Sequence, residues 1–146
     1  MYDVVAIGEL LVDFACRSTD DDGYPVLAAH PGGAPANFLA VLARYGLKTA
    51  LLAKVGNDAF GRLLRRTMER EGIDTAGVVV DDAAFTTLAF VTLDENGERD
   101  FSFARKPGAD MLLRYDELDL SLIDRTRVFH FGSVSMTDEP SRDATR

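Results

Sequence analysis

The chain has 146 residues, 47% of them hydrophobic, and its 24 acidic residues outnumber 16 basic ones for a formal net charge of −8. That length suits one domain rather than two, and that charge argues against nucleic acid as a partner. One cysteine, Cys16, leaves no internal disulfide to form, so a reducing, cytoplasmic location is expected, and the opening residues show neither a signal peptide nor a membrane span.

Residues Tyr2–Ile7 form a short, near-continuous apolar run, the pattern of a strand buried on both faces. The run ends at Gly8, and Asp13 follows a few residues on. Ligands of open α/β sheets collect outside the carboxyl ends of strands, and an ionised aspartate accepts hydrogen bonds from two neighbouring hydroxyls. An ordinary loop carboxylate is the other reading. Residues 17–31 are polar and read as loop, with a turn at Asp20-Asp21-Asp22-Gly23 and His30 without a visible partner.

Next comes Pro31-Gly32-Gly33-Ala34-Pro35-Ala36-Asn37, opening into a helix over about 35–45. Paired glycines let a small molecule approach bare amides. Pro35 suits the first helical position, and the Asn37 amide both donates and accepts. Phe38, Val41, Leu42 and Tyr45 recur along one stripe, and Gly46 is a good left-handed terminator. Such a helix start suits a polyhydroxylated or anionic ligand. A tight strand-to-helix connection with no ligand accounts for it equally well.

Lys48–Val55 reads as the next strand, after which Asp58 caps a helix that packs through Phe60, Leu63, Leu64 and Met68 and stops at Gly72. A short strand over 77–80 follows. The period then changes to two. Phe85–Leu93 and Glu98–Phe103 read as strands joined through Asp94-Glu95-Asn96-Gly97, a strong hairpin signal. Arg99, Phe101, Phe103 and Arg105 share one face, which suits a cover over a sugar ring; a half-buried hairpin with arginines in water is the alternative.

Tyr115–Asp124 carries a short helical pattern around Leu118, Leu122 and Ile123. Val128–Gly132 reads as a buried strand, with His130 as a packed residue and Ser133 in a turn or beside a substrate. The tail from Asp138 resembles the first turn of a helix. No histidine or cysteine pair has metal-ligand spacing. Alternating strands and helices predict an α/β fold with a mostly parallel sheet flanked by helices.

Three blocks in order, Gly8-Glu9-Leu10-Leu11-Val12-Asp13, Gly32-Gly33-Ala34-Pro35-Ala36-Asn37 and Val55-Gly56-Asn57-Asp58-Ala59-Phe60-Gly61, resemble the ribokinase-like (PfkB) family of carbohydrate kinases. The segments Arg105–Leu113 and Val128–Ser135 resemble its fructokinase branch. The likeness covers the whole chain but only the amino-terminal half of such an enzyme. It implies an incomplete ribokinase-like sheet over residues 1–146, with a small β-sheet lid inserted at approximately 10–31 and 85–105.

The resemblance further implies a sugar kinase that moves the γ-phosphate of ATP, with Mg²⁺, to a hydroxyl of fructose. Asp13, Gly32, Gly33, Asn37, Phe103 and Arg105 would bind the sugar. The family's Gly-Ala-Gly-Asp element, which ends in the general base, is absent. Pro107-Gly108-Ala109-Asp110 is similar only on the surface, because it follows the hairpin instead of preceding a long helix. No catalytic, nucleotide-binding or metal-binding residue is therefore assigned in this chain, and the general-base aspartate is expected beyond Arg146. A homodimer through the lid hairpin is also implied. Two alternatives stand: a kinase of 2-keto-3-deoxygluconate or another family sugar, and a non-catalytic sugar-binding or assembly module.

Overall fold

A computed structural model describes residues 1–93 and 98–146; residues 94–97, where the Asn-Gly hairpin signal falls, and the side chains of Leu93 and Arg99 lie outside that description. The apolar run at the start forms β1 (Tyr2–Ile7), and β4 (Thr49–Gly56) lies parallel beside it, buried along its full length. The other flank of β1 takes β9 (Thr126–Phe131), also parallel. Two short strands, β5 (Ile73–Asp74) and β6 (Val78–Asp81), pair in parallel with successive parts of β4. The result is the mostly parallel sheet expected of βα alternation.

Two helices bury the face of this sheet that carries Val4, Ala6, Leu51, Ala53 and Val55. In α1 (Ala34–Arg44) the buried residues are Pro35, Ala36 and Leu39, with Ala40, Leu42 and Ala43 partly buried. This corrects the expected stripe: Phe38, Val41 and Tyr45 face outward. Small alanines let the helix approach the sheet closely, and the bulkier stripe is left outside. Pro35 occupies the second helical position, not the first, and Gly46 takes the left-handed conformation at φ 83° just past the end. In α2 (Ala59–Arg70) Leu64, Thr67 and Met68 are buried, as its spacing requires. The opposite face of the sheet packs Val5, Ile7, Ala50 and Leu52 against Leu113, Leu122 of α3 (Leu120–Asp124) and Ala144 of α4 (Ser141–Thr145).

A second, four-stranded sheet stands beside the first. Its order is β3 (Pro25–Gly32), β2 (Leu11–Thr19), β7 (Leu88–Leu93), β8 (Arg99–Ala104). The outer pairs are antiparallel and the central β2–β7 pair is parallel. Residues 17–31, loop-like in composition, are largely strand, in keeping with the lid strands that the resemblance implies over approximately 10–31; their polar composition reflects exposure on both faces. Asp13 consequently lies inside a strand, and His30 stands directly across from it on β3. Phe85 to Thr87 precede β7 rather than belonging to it.

Val128–Gly132, read as a buried strand, pairs with β1 on one flank as β9; within the described residues Val128 is 53% and Phe131 52% exposed, and His130 stacks on Phe38 with ring centroids 4.5 Å apart. Cys16 is an exposed residue of β2. Ser133 is exposed and leads into a 3-10 turn over Val134–Met136, the turn role anticipated for it. No helix among the described residues is long and apolar enough to cross a membrane.

Candidate functional site

The chain leaves β1 through Gly8-Glu9-Leu10 and enters β2, so the carboxyl end of the first sheet and the base of the second meet at one place. The start of α1 arrives at the same place. Gly33, its cap residue, has φ 110°, and a Cβ there would strike the Glu9 carbonyl oxygen. Gly32 has no room either, because a Cβ would overlap the Asp13 carboxylate. The two glycines therefore act differently. Gly33 lets the helix start against the β1–β2 connection, and Gly32 clears space for Asp13.

Between the two sheets lies a cavity of about 550 Å³. Asp13, Gly33 and Asn37 line one side, and Phe101, Phe103, Arg105 and Lys106 line the other. Five of the six residues expected to bind sugar thus share a single space, and Gly32 sits just behind its wall. The aromatic rings of Phe101 and Phe103 are stacked at 6.3 Å with an interplanar angle of 14°. Period two on β8 puts them on one face, as the sequence spacing indicates.

Burial raises the Asp13 carboxyl above its ordinary value, and the charge of His30 opposes that effect. Arg105 is not a free cation. Its Nε and Nη2 donate to Asp110 Oδ2 at 2.9 and 2.8 Å, and the buried Asp110 also accepts from the Thr87 hydroxyl. The guanidinium is held in place and partly neutralised.

Three residues of this site escape sequence reasoning. Asp110 falls in the segment compared with a catalytic glycine-rich element, and the structure gives it the task of orienting Arg105. Its position five residues after Arg105 was the available signal. Glu9 is buried and its Oε1 accepts the Ala34 N–H at 3.0 Å, pinning the first turn of α1. An acid beside Gly8 gives no hint of that partner, which lies 25 residues away. Lys106 joins the cavity wall through its place after Arg105. The arrangement offers acceptors and an amide on one wall and aromatic faces with cationic donors on the other, the mixture that grips an uncharged polyol.

Among the described residues no group of three histidine, cysteine, aspartate or glutamate side chains is placed to hold a metal ion.

Comparison with known proteins agrees with this architecture. A family model for pfkB family carbohydrate kinases matches residues 1–145. Fructokinase-1 of Zea mays is 47% identical over 143 residues, covering 97% of this chain and 44% of that protein. The crystal structure of fructokinase from Xylella fastidiosa has a TM-score of 0.93 at 35% identity, over 99% of this chain and 45% of that one. A putative ribokinase II from E. coli in complex with ATP and Mg²⁺ gives 0.88 at 30% identity, over 99% and 47%. The chain spans under half the length of these relatives. With a ribokinase-like α/β fold and a family match along nearly its entire length, the chain belongs to the pfkB family of carbohydrate kinases.

Proposed function

We propose that this chain is the sugar-binding part of an ATP-dependent fructokinase. The observation that carries the reading is the single cavity shared by Asp13, Gly33, Asn37, Phe103 and Arg105. In it Asp13 accepts hydrogen bonds from sugar hydroxyls, Asn37 fixes another, and Phe103 covers the ring while Arg105 orients it. Gly32 supports the site by making room for Asp13. The four-stranded sheet over approximately 10–31 and 85–105 acts as the lid, and its exposed strands offer a homodimer contact. One cysteine and a charge of −8 fit a cytoplasmic enzyme of small-molecule metabolism.

The sugar cavity is not fitted for ATP or Mg²⁺: the sequence holds no Gly-Ala-Gly-Asp element, and no group of three metal-ligating side chains stands among the described residues. Phosphoryl transfer in the whole protein would therefore draw on parts other than residues 1–146. Pairing of Arg105 with Asp110 weighs toward a neutral sugar over a sugar acid, since that guanidinium already has a carboxylate.

Titration calorimetry of the chain with fructose and with 2-keto-3-deoxygluconate tests the reading. Saturable binding of fructose is expected, with no ADP released from ATP and Mg²⁺ by the chain alone. Preference for the acid overturns the fructose assignment, and failure to bind any sugar overturns the whole proposal.

A further inference from the structure

A second cavity, of about 410 Å³, lies along α2 and shares no residue with the first. Arg62, Arg65, Arg66 and Glu69 fall on one face of the helix at i, i+3, i+4 and i+7, and all four line it. Gly56, Asn57 and Gly61 form its floor and Val80 its apolar wall. The helix starts hard against the end of β4, for a Cβ on Gly61 would overlap the Gly56 carbonyl. That close approach carries the arginines over the β4–α2 turn.

Several other arginines of the chain are already engaged. Arg44, Arg105, Arg114, Arg127 and Arg142 each pair with a carboxylate, and Arg125 donates to the Ser121 carbonyl. Among the described residues no carboxylate lies within ion-pair distance of Arg62, Arg65 or Arg66. Arg65 Nε is moreover buried without a hydrogen-bond partner. Two acids stand nearby and both are engaged. Glu69 accepts from the Thr75 hydroxyl at 2.9 Å, and Asp82 accepts from the Asn57 amide at 2.7 Å.

Three guanidiniums lining one cavity, with no carboxylate in ion-pair distance among the described residues, favour on a chain of net charge −8 a compact anion over an acidic protein surface, which the rest of the molecule repels. Guanidinium groups match phosphate oxygens in bidentate geometry, and the cavity is large enough for a small organic phosphate. We propose that Arg62, Arg65 and Arg66 form a binding site for a phosphate-bearing small molecule, separate from the sugar cavity. The inference is independent of which sugar the other cavity takes.

The test is calorimetric titration of the chain with inorganic pyrophosphate, free of divalent metal. One-site saturable binding is expected, weakened about tenfold or more in Arg65→Ala and in the double variant Arg62→Ala/Arg66→Ala. Arg44→Ala, whose guanidinium pairs with Glu71 outside this cavity, is expected to bind as the parent does. Thermal melting of each variant reports folding separately. Displacement by a hexose monophosphate or by a nucleoside diphosphate then shows which carrier brings the phosphate, and either supports the site. Absence of saturable binding overturns it. So does equal weakening by Arg44→Ala, or tighter binding of polyglutamate than of pyrophosphate.

Discussion

Burial pushes the Asp13 carboxyl above its ordinary value, and His30 across the strand pair pulls only part of that back. A carboxyl that holds its proton more tightly when folded stabilises the fold below the usual aspartate range, and that contribution is lost as pH rises through the raised value. At neutral pH the ionised Asp13 works against folding. A group that costs stability in this way agrees with the binding role proposed for it. Asp13→Asn keeps the shape and removes the charge, so its melting temperature is expected to rise by calorimetry. Its fructose affinity is expected to fall about tenfold or more, the loss of one or two buried hydrogen bonds to a charged acceptor. Unchanged affinity in the same titration would remove Asp13 from the sugar site. That Asp13, Asn37 and Arg105 share one cavity was legible because each belongs to a short local block. Glu9 and Asp110 were not, because what they do depends on the partner the fold brings to them.

At the scale of elements, Asp58 shows how much one cap decides. Its Oδ1 accepts the Phe60 and Gly61 N–H groups at 2.9 and 2.8 Å and the Thr86 hydroxyl at 3.0 Å. Its Oδ2 accepts the Thr86 N–H at 2.8 Å. Burial opposes ionisation here, but the donors from Thr86, Gly61 and Phe60 prevail and hold the carboxyl below its ordinary value. The stability it contributes is present above the usual aspartate range and lost as pH falls through the lowered value. Asp58→Ala is expected to lower stability at neutral pH by about 2 kcal/mol in urea unfolding, with the deficit shrinking in acid. The cap of α2 was readable because capping is local. The packing face of α1 was not, since its sequence offers two stripes and close approach to the sheet selects the smaller one. The strands within residues 17–31 were legible from the resemblance and not from local pattern, because a sheet wetted on both faces carries a loop-like composition.

Across the whole molecule, Lys54 ties the pieces together. It rises from β4, 5% exposed, and its Nζ meets Glu117 at 2.7 Å, Asp81 at 2.9 Å and the Leu112 carbonyl at 3.1 Å. Burial alone would lower the lysine's affinity for its proton, yet hydrogen bonds to Glu117 and Asp81 leave it raised. Asp81 in turn is held at about 2 by Lys54 and by the Ala84 and Ala83 N–H groups. Lys54→Met strands two carboxylates, and a loss of about 3–5 kcal/mol is expected in urea unfolding at neutral pH. A small loss would show that the carboxylates find water instead. The parallel character of the sheet was legible from alternation alone, whereas its strand order was not, because alternation does not say which strands lie side by side. The apolar run of β9 reads as buried, and among the described residues β1 covers one flank of it.

The grip of Asp110 on Arg105 reaches further than the cavity wall. Thr87 hands its hydroxyl to Asp110 and its carbonyl to the Val12 N–H, one residue before Asp13. The two walls of the proposed sugar cavity thus share a frame through a residue that does not line it. On that reading, an exchange at position 87 or 110 is expected to retune sugar selectivity by releasing Arg105, without replacing any side chain that lines the cavity.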